Sequence, residues 1–190
     1  MKYKVLHNNI FTCDEFSIHP IHEENMEPIR IWRNEQMEVL RQNKELSSDD
    51  QLNYFNGVVK PLFELNKPSQ LLFGFYKNTD LIGYGGLVHI SWIDLRAEMS
   101  FLVNTKLSKD AQNYKESMKA FISLILKLVF VELKFNKVFT ETYDFRTLHI
   151  SILEESGYKV EGILREHICV NNKYYNSIIH SILKKEYEQF

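Results

Sequence analysis

Glu98 stands in an alternating run, Leu95 to Val103. There Arg96, Glu98 and Ser100 share one face of an extended strand, and Leu95, Ala97, Met99, Phe101 and Val103 share the other. A carboxylate on the polar face of such a strand can take a proton, or it can pair with Arg96 across the sheet. Further along, Tyr143 closes a short strand on the same side as Glu141, and His149 lies inside a helical segment. Either side chain can deliver a proton, and either can equally be a packing residue. His89 and His167 fall singly on strands, beside Glu166 in the second case. The seven histidines show no Cys/His spacing of a zinc site, and Cys13 and Cys169 make no disulfide framework. The chemistry on offer is proton transfer by isolated groups, with no metal.

Those groups must be positioned by a fold, and the sequence punctuates one. Phe16 to Ile21 alternates as a half-buried strand, and Asn9 to Thr12 can pair before it as a hairpin within an N-terminal extension, residues 1–15. Glu23 to Arg41 reads as a helix with Met26, Ile29, Trp32, Gln36 and Leu40 near one face. Ser47 to Asp50 supplies an N-cap region for a second helix through Phe63, with Pro61 late in it. Strands follow over Gln70–Tyr76, Leu81–Ile90 and Leu95–Val103. Gln112–Leu133 is a long helix, Val138–Tyr143 a strand, and Thr147–Glu155 a helix stopped by Gly157. Gly162–Val170 and Tyr175–Leu183 form a last hairpin around Asn171-Asn172-Lys173. A meander leading into one β-α-β crossover requires a mixed sheet.

The composition bounds the partners. The 190 residues carry 23 Lys+Arg against 25 Asp+Glu, a formal net charge of −2, so no bulk positive field points to nucleic acid or an anionic membrane. Hydrophobic residues make up 44% and aromatics 13%, enough for a substantial core, and nothing between Leu87 and Ser156 is Gly or Pro, so one domain over 1–190 is expected. The apolar stretch Phe121 to Leu133 is interrupted by Ser123, Lys127 and Glu132, and the N-terminus lacks the apolar region of a signal peptide. A cytoplasmic setting is the expectation.

Four stretches, in order, carry a likeness to a known family. Ile31-Trp32-Arg33-Asn34-Glu35 looks like a "W-R-N" first helix. Leu81-Ile82-Gly83-Tyr84-Gly85-Gly86-Leu87 looks like an "l-I-G-x-x-g-l" strand, and Ala97 to Val103 like an "a-E-i-g-y-x-v" strand. Glu154 to Arg165 matches "e-k-x-G-F-x-x-E-G-x-l-R", followed by Lys173-Tyr174. Together they resemble the GNAT superfamily of acetyl-CoA-dependent N-acetyltransferases over roughly Phe16 to Leu183. The "W-R-N" stretch resembles the branch that acetylates ribosomal-protein N-termini. The chain as a whole is similar to nucleotide-amino-sugar acetyltransferases of pseudaminic-acid type from bacterial surface-polysaccharide loci. The implied fold is α+β: a central, mostly antiparallel, seven-stranded mixed sheet, parted between its fourth and fifth strands and flanked by about four helices.

The resemblance implies direct acyl transfer from acetyl-CoA to an amine, and assigns roles. Glu98 is then the base, directly or through a water. A backbone N–H near Leu102 or Val103 stabilises the oxyanion, and Phe101, Leu102 and Val103 form the edge that binds pantetheine. Tyr143 and His149 compete as the acid. Trp32, Arg33, His89 and His167 border the acceptor. Arg146, at a helix start, reaches a CoA phosphate or a nucleotide diphosphate on the acceptor.

Two departures stand out. The family's pyrophosphate loop, "R-G-x-G-x-G/A", aligns with Asn113-Tyr114-Lys115-Glu116-Ser117-Met118, which has no glycine. Helix N-terminal donors survive any side chain, but each Cβ narrows the approach of a phosphate; Lys109 or Lys115 can compensate. The family's usual Asn and Tyr of the last helix are Arg146 and Leu153 here, which removes the usual proton donor. Three functions follow: acetylation of a nucleotide-linked amino sugar, acetylation of a protein N-terminus, or a non-catalytic acyl-CoA or nucleotide-sugar binding module. A monomer or homodimer is expected.

Overall fold

The computed structural model describes residues 1–189. Eight strands form one sheet: β1 (Phe11–Cys13), β2 (Phe16–Pro20), β3 (Leu71–Lys77), β4 (Asp80–Ser91), β5 (Arg96–Val103), β6 (Lys137–Tyr143), β7 (Lys159–Val170) and β8 (Lys173–Leu183). Their order is β1-β2-β3-β4-β5-β6-β8-β7, antiparallel throughout except for β5 with β6. The eighth strand is the N-terminal hairpin partner, Phe11 facing Ile18. The stretch expected as an extension is also part of the core: Tyr3 is buried, and its hydroxyl donates to Leu72 O at 3.0 Å and accepts from Leu72 N–H at 2.8 Å.

The helices are shorter and more broken than their periodicity suggests. The first is α1 (Met26–Glu35), with a 3-10 turn on either side (Glu23–Asn25 and Met37–Val39). Gln36, expected on the helix face, instead ends the helix with φ −131°. The second begins as α2 (Ser48–Tyr54), passes through a π turn at Phe55–Val59 and ends as α3 (Lys60–Leu62). Ser47 caps α2 by accepting from Asp50 N–H while the Asp50 carboxylate accepts from Ser47 N–H. After β5 come α4 (Thr105–Ser108) and α5 (Ala111–Leu126), the latter running into a π turn at Lys127–Glu132; α6 (Thr147–Glu155) and α7 (Lys184–Tyr187) complete the set. Three of these, α3, α4 and α7, are too short to leave a periodic signal of their own.

The sheet is covered on both faces. Tyr84 of β4 receives Arg33 of α1 on one face at 2.6 Å, and Tyr84 pairs with Leu102 in the register of β4 and β5. On the other face Phe121 of α5 packs on Phe75 (5.2 Å) and Phe101 (4.6 Å). Gly85 is needed where β4 passes between its neighbours: a Cβ there would lie 2.2 Å from Ser100 O. Among the described residues, no helix is long and apolar enough to cross a membrane.

Candidate functional site

β5 and β6 run parallel but pair only over Arg96–Glu98 with Lys137–Phe139. From Met99 onward β5 has no partner on that side, while β6 goes on pairing with β8 through Tyr143. The sheet therefore parts where the family likeness placed a parting. Alternation along β5 sends Glu98, Ser100 and Leu102 to the α1 face and Met99, Phe101 and Val103 to the α5 face. A cavity of about 230 Å³ fills the parting and is lined from both faces, by Glu98 and Ser100 as well as Met99, Phe101 and His149. It is a passage through the sheet.

On the α1 side the passage is built around paired carboxylates. Glu98 is buried. A register shift in β4 between Val88 and Ser91, with His89 at φ 47°, turns the His89 ring so that Nδ1 lies 2.7 Å from Glu98 Oε2. Arg41, from the loop after α1, donates through Nη2 to Glu98 Oε1 at 2.8 Å and to Glu141 Oε2 at 2.6 Å. His167 Nε2 is 3.9 Å from the other Glu141 oxygen. Like charges in one cavity repel by about 4 kcal/mol at 4 Å and an effective dielectric near 20, and a guanidinium between them reverses that sign. Arg41 is half exposed, so water screens part of the gain.

The α5 side is built differently. A second cavity, of about 340 Å³, adjoins the first and shares Val39, Arg146 and His149 with it. The Tyr114 hydroxyl lies 2.6 Å from His149 Nδ1, and Arg146 Nη2 donates to the Tyr114 oxygen at 3.1 Å. Burial holds His149 well below the usual histidine range, and the Arg146 and His180 charges push the same way. Burial pushes the Tyr114 hydroxyl up, with Arg146 opposing. Both groups stay neutral near pH 7.

A family model described as an acetyltransferase (GNAT) domain matches residues 18–179. The chain belongs to the GNAT acetyltransferase family. The SPbeta prophage-derived uncharacterized N-acetyltransferase YokL of Bacillus subtilis (strain 168) is 34% identical over 70 residues, which is 37% of this chain and 40% of that relative. The fold is that of spermidine N-acetyltransferase from Vibrio cholerae in complex with CoA and spermine: TM-score 0.81, 18% identity, 93% of this chain and 99% of that one. A chimera of that enzyme, SpeG, with hSSAT gives TM-score 0.80 at 18% identity, again over 93% and 99% of the two chains. At that identity the likeness is one of fold.

In this GNAT domain several expected site residues converge. Glu98, Phe101, Tyr143, Arg146, His149 and Arg33 all line the passage, and His89 touches it through Glu98. Arg33 is also held by Gln42 at 3.0 Å. Tyr143 is buried and packs on Phe145 at 5.8 Å; burial raises its hydroxyl pKa, with Arg41 opposing. Leu102 and Val103 bury their side chains and offer backbone, of which Val103 O already accepts from Gln36 Nε2 at 2.9 Å.

Other expected residues do not converge. Trp32 lies at a shallow surface beside Thr105 and Lys106, away from the passage, because its position on α1 turns it toward α4. At the N-terminus of α5, Lys115 is turned onto Glu155 at 2.8 Å, and Glu116 faces Lys77 at 3.8 Å. Tyr114 points inward. Asn113 gives its N–H and its side-chain amide to Asp110, at 3.1 and 2.7 Å, so the Asp110 carboxylate caps the helix end that the resemblance reserves for phosphate. Lys109 is exposed and lines the second cavity.

Four site residues were not anticipated: Arg41, Glu141, Gln36 and Asp110. Glu141 had a signal, its i,i+2 relation to Tyr143, and Asp110 had one as an acidic N-cap before a helix. Arg41 had none, since nothing local in a loop predicts which distant carboxylates it meets.

Proposed function

We propose that this domain transfers the acetyl group of acetyl-CoA to a small primary amine, with Glu98 as the base. The observation carrying this reading is the passage itself, which joins Glu98 to the unpaired edge of β5 and, past Val39, Arg146 and His149, to the second cavity. When bound, acetyl-CoA supplies an activated acyl group as a thioester. The free β5 edge from Met99 onward suits the amides of a pantetheine arm, which would lie along it as an added strand. A backbone N–H near Leu102 or Val103 would then face the developing oxyanion. Glu98 takes the ammonium proton, directly or through a water, and His89 at 2.7 Å is placed to pass it to solvent.

The acceptor we propose is a nucleotide-linked amino sugar. Arg33, Arg41, His89 and His167 surround the acceptor side and suit a diphosphate beyond the amine. A polyamine is the second reading, favoured by the Glu98–Glu141 pair, but it must displace Arg41 from both. A cytoplasmic setting is in keeping with two unpaired cysteines.

Thiol release from acetyl-CoA with three acceptors tests this: a 4-amino-sugar nucleotide, spermidine and a peptide with a free N-terminus. Turnover with the nucleotide, lost in Glu98→Gln, is expected. Turnover with spermidine or the peptide alone overturns the acceptor. Binding of acetyl-CoA without turnover makes the domain a binding module, and no binding at millimolar concentration removes acetyl-CoA from the account.

A further inference from the structure

We infer that His149 protonates the departing CoA sulfur, and that Arg146 and Tyr114 position it by holding its proton on Nε2. This rests on the acetyl-transfer reading above.

Place comes first. A thioester spanning the two cavities has its scissile bond where they meet, and Val39, Arg146 and His149 are the residues lining both. Of these only His149 can hand over a proton at neutral pH, since a guanidinium does not deprotonate. Tyr143, the other candidate, lines the first cavity and an outer groove beside Arg41 and Cys169, not the second cavity. Leu153, four residues before Gly157, is fully buried and has no proton to give.

The tautomer follows from donor arithmetic. Arg146 has only donors, and its Nη2 lies 3.1 Å from the Tyr114 oxygen and 3.4 Å from His149 Nδ1. The Tyr114 hydroxyl has no other acceptor among the described residues, so it directs its hydrogen to Nδ1, at 2.6 Å. With Nδ1 accepting, a neutral ring must carry its proton on Nε2. Among the described residues Nε2 has no hydrogen-bond partner, yet it is not sealed off as both nitrogens of His180 are. It is the ring edge left for the cavities.

The step balances. As the carbon–sulfur bond breaks, its electron pair goes to sulfur and the Nε2 proton follows. The Tyr114 proton moves to Nδ1, leaving His149 neutral as its other tautomer and Tyr114 as a phenolate against Arg146. After the thiol leaves, the Nδ1 proton returns to Tyr114 and solvent reprotonates Nε2, restoring the starting tautomer. The amine loses two protons, one to Glu98 before attack and one as its nitrogen becomes an amide. Both leave by Glu98 to solvent, so with one drawn back by His149 a single proton is released per turnover and no charge accumulates.

The test has two arms on the full chain. Side-chain nitrogen NMR of free protein should show His149 as the Nε2–H tautomer, and Tyr114→Phe should give a mixture. This arm needs no acceptor: an Nδ1–H ring in the wild type overturns the inference whatever the amine panel shows. In the second arm, Tyr114→Phe and His149→Gln should each lower kcat by about 10²-fold, the low end for acid–base catalysis, with KM for acetyl-CoA changed by less than about threefold. The double variant should be no slower than the worse single one, because the residues act as a unit. Additive losses, or a loss in KM alone, mean a structural role and overturn it. Full kcat in His149→Gln overturns it outright.

Discussion

On the α1 side of the parting, Glu98 and Glu141 share the Arg41 guanidinium and Glu98 also meets the His89 ring, at 2.6 to 2.8 Å. On the α5 side, Tyr114 and His149 are buried and neutral, with the Arg146 guanidinium donating to Tyr114. The sheet divides an ion-paired cluster from a hydrogen-bonded one, and members of both line the same cavity. The difference suits the two proton transfers of acyl transfer. A carboxylate facing exchangeable cations can take and release a proton, while a neutral imidazole in a dry wall can give one without first being charged. The two clusters should therefore respond differently to mutation, to acceptor and to pH.

The largest expected effect falls on the paired side. Glu98→Gln keeps the shape and the hydrogen bond to Arg41 but cannot accept a proton, and kcat/KM should fall by about 10²-fold or more. Acetyl-CoA binding, measured by calorimetry, should stay within about threefold, since Glu98 faces away from the second cavity. Equal losses in binding and rate would erase the distinction between the two sides.

Arg41 sharpens it. Arg41→Ala leaves Glu98 and Glu141 without their shared cation. An anionic acceptor should lose about tenfold in KM, about 1.4 kcal/mol. Spermidine, whose ammonium groups can replace the guanidinium, should be affected less or improve. Identical changes for both acceptors would show that Arg41 sets position and not charge preference.

The α5 side predicts a pH dependence of stability. His149 folds with its pKa well below the unfolded value of about 6.5, so the unfolded chain binds more protons in acid. Its contribution is fully present above about pH 6.5 and declines as pH falls, by up to about 1.4 kcal/mol per unit. Urea midpoints from pH 7 to 5 should show that slope, and His149→Gln should flatten it. His180, His19 and His22 add in the same direction, since burial also lowers the pKa of each, so a residual slope in the variant belongs to them.

What the sequence revealed about this site follows the reach of each signal. The alternation around Glu98 and the helical position of His149 are local patterns, and both residues line the passage. The parting was legible only through the family likeness, because where two strands diverge is a property of their non-local partners. Arg41 met Glu98 and Glu141 across 57 and 100 residues of chain, beyond any spacing rule. The helix through Arg41 failed for a physical reason as well: Gln36 turns its side chain to Val103 O and Trp32 O, which ends α1 and frees the loop that carries Arg41.

The smallest expected effect concerns the N-terminus of α5. Its first free N–H groups and dipole favour an anion, but the Asp110 carboxylate already sits there, accepting from Asn113 and held below the usual carboxylate range by those bonds. Phosphates seated at this end would face that charge at close range. Asp110→Gly removes it, and glycine is a tolerable cap that costs only a few tenths of a kcal/mol. Acetyl-CoA should then bind about threefold more tightly at low ionic strength, with the gain vanishing near 1 M salt, where the screening length is about 3 Å. Should Asp110→Gly change nothing while Lys109→Ala weakens binding, the phosphates lie along Lys109 instead. The α5 end is then a capped structural terminus, and cofactor affinity resides in the β5 edge and the second cavity.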